Sequence, residues 1–197
     1  MFSSFFKPFY YIIIILTIFV IFISCFFIPY YTNEEIFEMY SKAEIIISSK
    51  GFAWPIPGYN TITSYFGKRT SPTKGASTYH KGLDIGAPEG SILIAAIDGK
   101  ITYTGFLGGG GYTITLSNGN MKITYCHVSP NYIVEVGQEV KKGELIGQVG
   151  PKYVYGVKGN IYTDENGKPT NGATTGCHLH YGIRIEDEYV NPLDYYI

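Results

Sequence analysis

The sequence has few cysteines and no surplus of positive charge, and both shortages narrow the possible functions. Three cysteines in 197 residues are too few for a small secreted scaffold held together by disulfides. The formal net charge is −1, which argues against a partner that is bound through its phosphates. We therefore expect no nucleic-acid partner. With 45% hydrophobic residues, the chain is instead expected to bury a packed core.

Charge is absent altogether from residues 9–28, and this gap predicts a membrane anchor. A helix of 20 residues is about 30 Å long, which matches the hydrocarbon core of a bilayer. Lys7 precedes the run and Glu34 follows it, so the positive-inside rule places the N-terminus in the cytoplasm. No small-residue cleavage site follows the run, which favours an uncleaved anchor over a signal peptide. We expect residues 1–31 to be a single-pass anchor in the cell membrane, with the remaining chain extracytoplasmic.

Two other interpretations of the N-terminal region remain open. The uncharged run is also compatible with a buried core segment, and the residues before Cys25 faintly resemble a bacterial lipoprotein site. After the run, Thr32 and Glu35 have the spacing of a capping box, which predicts a short helix ending between Ser41 and Glu44. We interpret residues 32–51 as a stalk or linker.

Residues 52–197 consist of short β-like runs separated by glycine and asparagine turns. The pair Asn118-Gly119 separates two such runs and predicts a β-hairpin. The expected fold is mainly β, with an antiparallel sheet. Residues 151–175 form a long loop-like stretch that is either a surface insertion or the wall of a groove. Glycines 108–111 are either a hairpin turn or a groove wall without side chains.

All four histidines of the chain lie in three short motifs. His80 and Asp84 are four residues apart. His178 and His180 alternate along a predicted strand, so their rings project from one face. His127 lies at the end of another predicted strand. A catalytic zinc has three protein ligands and a water, so two histidines and one aspartate would suffice, leaving two histidines for proton transfer.

Three segments resemble the zinc motifs of the lysostaphin-like (LytM, or M23) metallopeptidases. His80-Lys-Gly-Leu-Asp84 resembles their H-x-x-x-D motif, and Thr175-Gly-Cys-His-Leu-His180 resembles their T-G-x-H-L-H motif. Tyr125-Cys-His127-Val-Ser resembles a third segment of the family, with Val128 in place of the usual leucine. The likeness extends in order over residues 54–197.

The resemblance implies a fold, a site and a substrate. It implies that His80, Asp84 and His180 bind Zn²⁺, and that His127 and His178 are catalytic. The implied fold is a compact antiparallel β domain over residues 52–197, with a groove above the metal. The implied activity is endopeptidase cleavage of the stem or cross-bridge peptides of bacterial peptidoglycan.

Two other function classes compete with the peptidase. Members of the family that have lost their zinc residues serve as binding partners, so a silent membrane-anchored scaffold in cell-envelope or sporulation assembly is the main alternative. A biotinyl or lipoyl carrier domain is disfavoured, because no exposed lysine occupies a suitable hairpin. Cys126 and Cys177 each precede a site histidine, so alternation should point both away from the site, either as free thiols or as a disulfide. Trp54 and Tyr181 are either substrate contacts or core aromatics.

Overall fold

The computed structural model describes residues 32–197, and residues 38–197 form one compact unit. Helix α1 (Asn33–Ser41) begins at the predicted capping box. The backbone N–H of Glu35 donates to Thr32 Oγ1 (3.3 Å), and the backbone N–H of Thr32 donates to Glu35 Oε2 (2.7 Å). The predicted anchor at residues 1–31 and Cys25 lie outside the described residues. Across residues 32–197, every helix is too short or too polar to cross a membrane.

The structure is built from twelve strands, and every strand pair in it is antiparallel within the described residues. The strands are β1 (Ile62–Ser64), β2 (Gly67–Lys68), β3 (Tyr79–His80), β4 (Leu83–Gly86), β5 (Ile92–Ile94), β6 (Gly99–Phe106), β7 (Tyr112–Asn118), β8 (Met121–Cys126), β9 (Glu139–Val140), β10 (Leu145–Gln148), β11 (His178–Ile185) and β12 (Glu188–Val190). The main sheet has the order β1-β4-β11-β8-β7-β6-β9, and β12 pairs with β11. Strands β2 and β3 pair separately, as do β5 and β10. The expected antiparallel, mainly β fold is confirmed.

The hairpin predicted at Asn118-Gly119 joins β7 to β8. Asn118 pairs with Met121, and Gly119 has φ 57°, a left-handed conformation that glycine adopts without steric cost. The prediction of β8 was one residue too long. His127 has φ 59°, so its backbone leaves the extended conformation and the strand ends at Cys126.

Strands β8 and β11 each present one face to the core and the other to the candidate site. Leu179, Tyr181 and Ile183 on β11 are fully buried, as are Ile123 and Tyr125 on β8. Burying each such side chain stabilises the fold by about 1.5–3 kcal/mol. By alternation, the even-numbered residues of both strands lie on the opposite face, where the site is.

The two aromatic residues considered as substrate contacts pack in or against the core. Tyr181 is fully buried, and its hydroxyl hydrogen-bonds the Tyr196 hydroxyl at 3.0 Å. Trp54 packs edge-on against Tyr196, and its indole N–H donates to the carbonyl of Tyr59 (2.7 Å). The core interpretation is confirmed for Tyr181, whereas Trp54 is partly buried against the core, and neither residue lines the groove.

Candidate metal centre

Three strands bring the predicted ligands His80, Asp84 and His180 together. His80 ends β3, Asp84 lies on β4, and His180 lies on β11 directly opposite Asp84. Asp84 Oδ1 lies 3.0 Å from His80 Nε2 and 2.9 Å from His180 Nδ1, and the two nitrogens are 2.9 Å apart. Each residue therefore aims one donor atom at a common point, and the cluster fits a metal site.

Outer contacts orient each of the three side chains. His80 Nδ1 donates to the carbonyl of Tyr65 (2.9 Å), which leaves Nε2 unprotonated for a metal. Arg69 Nη1 donates to Asp84 Oδ2 (2.9 Å), so Oδ1 faces the two histidines. The His180 ring lies against Gly82, where a Cβ would be 2.9 Å from the imidazole and 2.5 Å from the carbonyl of Tyr181. Only glycine fits at this position, between His80 and Asp84.

The charge of Asp84 is stabilised by the histidines around it. Burial alone would raise the pKa of this carboxyl. Hydrogen bonds with His178, His180 and His80 outweigh that effect and hold the pKa far below its usual range. Burial lowers the pKa of His180, although its hydrogen bond with Asp84 opposes the shift. The site therefore presents one carboxylate and neutral imidazole, which is the protonation state that a metal cation requires.

His178 lies beside the metal cluster on the same face of β11. Its Nδ1 lies 2.9 Å from the carbonyl oxygen of Gly176, which accepts a hydrogen bond from it, and 3.4 Å from Thr174 Oγ1. Its Nε2 is 3.5 Å from Asp84 Oδ1. The ring thus points its second nitrogen at the position where the metal ligands converge, without reaching as close as they do.

His127 reaches the same point from the loop after β8. Its backbone N–H donates to Gly110 (2.8 Å), and its Nδ1 donates to the carbonyl of Asn171 (2.6 Å). The ring centroid is 4.6 Å from that of His178. Burial, followed by the neighbouring His178, lowers the pKa of His127 to about 3. The imidazole is therefore neutral near pH 7 and presents an unprotonated Nε2.

A groove of about 800 Å³ runs over these five residues. One wall includes Gly109 and Gly110, and the adjoining wall is formed by residues 173–177 at the end of the long loop. Asn171 fixes that loop, because its side chain accepts from the Tyr112 N–H (2.8 Å) and donates to the carbonyl of Val128 (3.1 Å). The glycine segment therefore fits both interpretations, since it connects the antiparallel strands β6 and β7 and lines the groove. The last part of residues 151–175 is a groove wall.

Comparison with known proteins decides the family. Residues 78–192 match Peptidase family M23, which is more than half of the chain. The chain belongs to peptidase family M23. This M23 chain is 33% identical over 136 residues to the DD-carboxypeptidase/endopeptidase Mpg of Neisseria meningitidis, covering 68% of the chain and 27% of that relative.

Two further relatives show how varied the matched proteins are. Murein hydrolase activator NlpD of Escherichia coli is 30% identical over 118 residues, covering 59% of this M23 chain and 26% of the relative. The solved catalytic domain of lysostaphin from Staphylococcus simulans has a TM-score of 0.54 and 25% identity, covering 68% of the chain and 90% of that domain. The chain spans under a third of the length of the curated relatives it matches.

Alternation predicted that both cysteines of the M23 domain point away from the site, but the two differ in position. Cys126 is directly opposite His180 in the register of β8 and β11, so it lies on the site face and lines the groove. The expectation that Cys126 points away is wrong, because the strand ends at this residue and His127 turns into the groove by its backbone conformation. Cys177 is partly buried against the core, as expected, but it also borders the groove. Both thiols are free, and they are not joined within residues 32–197.

Sequence reasoning missed the residues that hydrogen-bond to the site side chains and orient them. Arg69 and Asn171 both lie within the stretch that resembles the family, but neither was assigned a role, and each reaches its partner only through the fold. Arg69 is 15 residues from Asp84 in sequence, and Asn171 is 44 residues from His127. Burial of a polar side chain is the physical signal that marks Asn171, which is fully buried.

Proposed function

We propose that this M23 chain is a zinc-dependent endopeptidase that hydrolyses peptide bonds in the stem or cross-bridge peptides of bacterial peptidoglycan. The observation that carries the proposal is the convergence of His80, Asp84 and His180 on one point inside a groove, with His127 and His178 alongside. The similarity to a DD-carboxypeptidase/endopeptidase supports the substrate class.

The donor set fits zinc better than a harder cation. Two imidazole nitrogens and one carboxylate oxygen are the ligands of many catalytic zinc sites, whereas magnesium and calcium prefer oxygen alone. Ligand atoms about 2.0–2.1 Å from a tetrahedral zinc would be about 3.3 Å from one another. The observed separations of 2.9 and 3.0 Å are within a few tenths of an ångström of that value.

The chain's own residues then supply binding and proton transfer. A bound zinc ion would supply a Lewis acid for the peptide carbonyl and an acidified water. His178 and His127 each commit Nδ1 to a backbone carbonyl, so each offers Nε2 as a proton acceptor in the groove. The imidazole that takes the proton becomes a hydrogen-bond donor, able to stabilise an oxyanion and to protonate the leaving amine. The glycine wall at Gly109 and Gly110 leaves room for a peptide backbone.

We place the catalytic domain outside the cytoplasm. Residues 1–31 would be a single-pass anchor in the cell membrane, with the N-terminus cytoplasmic, and residues 32–51 would connect it to the domain. The support for this proposal is the uncharged run at residues 9–28 and the distribution of charge around it. Peptidoglycan lies on that side of the membrane, so the location and the substrate agree.

A silent scaffold is the second candidate function, and one comparison favours it. The similarity to a protein named as a murein hydrolase activator extends over 59% of the chain. The retention of all five site residues weighs against a chain that has lost catalysis. The two functions differ in turnover, so a direct assay separates them.

The test uses the full chain, purified in detergent without chelator, beside its His178→Ala variant. We expect about one zinc per chain in both proteins, and release of new amino groups from purified peptidoglycan only by the unaltered chain. Zinc without cleavage of any peptidoglycan type would support the scaffold. Absence of zinc from the unaltered chain would contradict the metal assignment.

A further inference from the structure

The site face of β11 continues beyond the metal cluster to a basic side chain. By alternation His178, His180, Gly182 and Arg184 share this face, and Gly182 is buried there, where a Cβ on it would be 3.1 Å from the Lys81 carbonyl and 3.2 Å from Thr124 Oγ1. Four residues of strand span about 13 Å. The same groove contains both His180 and Arg184, together with Thr124 on the neighbouring strand.

Arg184 has hydrogen-bonding capacity that the protein does not use. Its Nε is buried and has no partner among the described residues. Its guanidinium lies over the ring of Tyr189, with Cζ 5.3 Å from the centroid. The nearest carboxylate is that of Asp187, 3.8 Å from Nη1, and the ammonium of Lys122 already binds the same oxygen at 2.6 Å. Asp187 is largely exposed, so this contact holds Arg184 weakly.

The charge of the groove is the reverse of the charge of the whole chain. Its described lining includes the basic side chains of Arg69, Lys81 and Arg184, against a single carboxylate, that of Asp84. Arg69 and Asp84 bind each other, which leaves Lys81, and Arg184 with only its 3.8 Å contact to the largely exposed Asp187. Lys81 Nζ lies 5.0 Å from the centroid of the same Tyr189 ring. Two cations therefore flank one aromatic side chain at this end of the groove.

We propose that Arg184 binds a carboxylate of the substrate peptide, three or four residues from the bond that is cut, with Lys81 adding charge and Tyr189 forming the wall. This inference rests on the proposed function for its substrate class. A guanidinium presents a fork of N–H donors that matches a carboxylate. An extended peptide covers about 3.3–3.6 Å per residue, so at least three or four residues are needed to span the roughly 13 Å from His180 to Arg184. The subsite makes the enzyme selective for acidic peptides.

The test measures binding of synthetic peptides to full-length His178→Ala protein loaded with zinc, by titration calorimetry. One peptide pair differs only in a C-terminal carboxylate or amide, and a second pair differs only in a side-chain carboxylate or amide. We expect one pair to show a preference of about tenfold or more for the acid, since hydrogen bonds to charged groups contribute that much. The pair that shows the preference identifies the source of the carboxylate.

Substitutions then assign the preference to Arg184. Arg184→Gln should remove the preference by lowering the affinity for the acid peptide. Its affinity for the amide peptide should stay within about twofold, and its zinc content should stay at one per chain. Arg184→Lys should retain part of the preference. Lys100→Gln is the control, because Lys100 is an exposed residue paired with Glu139 on the surface. Equal affinity for acid and amide in both pairs, or equal weakening of acid and amide by Arg184→Gln, would overturn the proposal.

The failure of this subsite and the failure of the proposed function are separate results. Cleavage of peptidoglycan by the unaltered chain without any carboxylate preference would refute the subsite alone. A carboxylate preference that depends on Arg184, in a chain that cleaves no peptidoglycan, would refute the endopeptidase and retain the subsite as a peptide-binding site.

Discussion

The metal cluster and the histidine beside it are held in different ways. His180 and Asp84 face each other across two paired strands, so the register of the sheet fixes their distance. His127 instead lies one residue past its strand, with a left-handed backbone, and depends on Asn171 in a separate loop. Non-glycine residues in that conformation cost about 1–3 kcal/mol. The comparison teaches that paired strands position the three candidate ligands, whereas loops position His127.

Removing a ligand from the sheet should have the largest effect. His180→Ala or Asp84→Asn is expected to abolish both zinc binding and peptidase activity, because two protein ligands do not retain the ion. Zinc is measured by atomic absorption, and activity as amino groups released from peptidoglycan. Asp98→Asn is the control, since Asp98 is an exposed carboxylate outside the groove. A variant that retained full zinc would contradict the ligand assignment.

Removing either neighbouring histidine should lower activity while the metal stays bound. His127→Ala and His178→Ala are each expected to lower the rate of cleavage by about 10²–10⁴-fold, while most of the zinc remains. The loss reflects a missing proton acceptor rather than a missing ligand. Zinc content and cleavage are measured on the same preparations. Loss of zinc in parallel with activity would place these histidines among the ligands.

Arg69, in the loop before β3, contacts the cluster through Asp84, so its removal should weaken zinc binding without abolishing it. Arg69→Met is expected to lower zinc affinity by about 10–100-fold, because Asp84 loses the partner that orients its second oxygen. Competition with a chromogenic chelator measures the affinity. Lys68→Met provides the matched control on the adjacent exposed residue. An unchanged affinity would show that the sheet alone orients Asp84.

Replacing Asn171 tests whether the loop positions His127, and we expect it to have the smallest effect on cleavage. Asn171→Ala leaves the backbone N–H of Tyr112 and the carbonyl of Val128 without partners, which should cost about 1–3 kcal/mol of unfolding free energy. Cleavage should fall about tenfold as His127 shifts, and zinc affinity should stay unchanged. Asn166→Ala, at an exposed turn of the same long loop, should change neither quantity. A fall in zinc affinity for Asn171→Ala would mean that the loop and sheet are coupled.

The sequence predicted the sheet-held part of the site more fully than the loop-held part. A strand was predicted through His178 and His180, where the structure has β11, and alternation correctly placed both histidines on one face. Such local patterns have a fixed period, so a sequence displays them directly. The convergence of His80, Asp84 and His180 was implied by the resemblance to the M23 family.

The remaining features arise from contacts that no local period encodes. Neither the left-handed backbone of His127 nor the position of Cys126 on the site face followed from alternation, because the pattern breaks where β8 ends. The support from Arg69 and Asn171 comes from chain segments that meet only after folding. Arg184 lies on a correctly predicted strand. Its position in the groove was not predictable, because the groove is assembled from several loops.

The most direct test of the account is a crystal structure of the zinc-loaded chain, with anomalous diffraction recorded at the zinc edge. We expect one strong anomalous peak bonded to His80 Nε2, Asp84 Oδ1 and His180 Nδ1, with His127 and His178 close by but outside bonding distance. A peak elsewhere, or one bonded to His127 or His178 in place of these ligands, would contradict the division between a sheet-held ion and proton-transfer residues beside it.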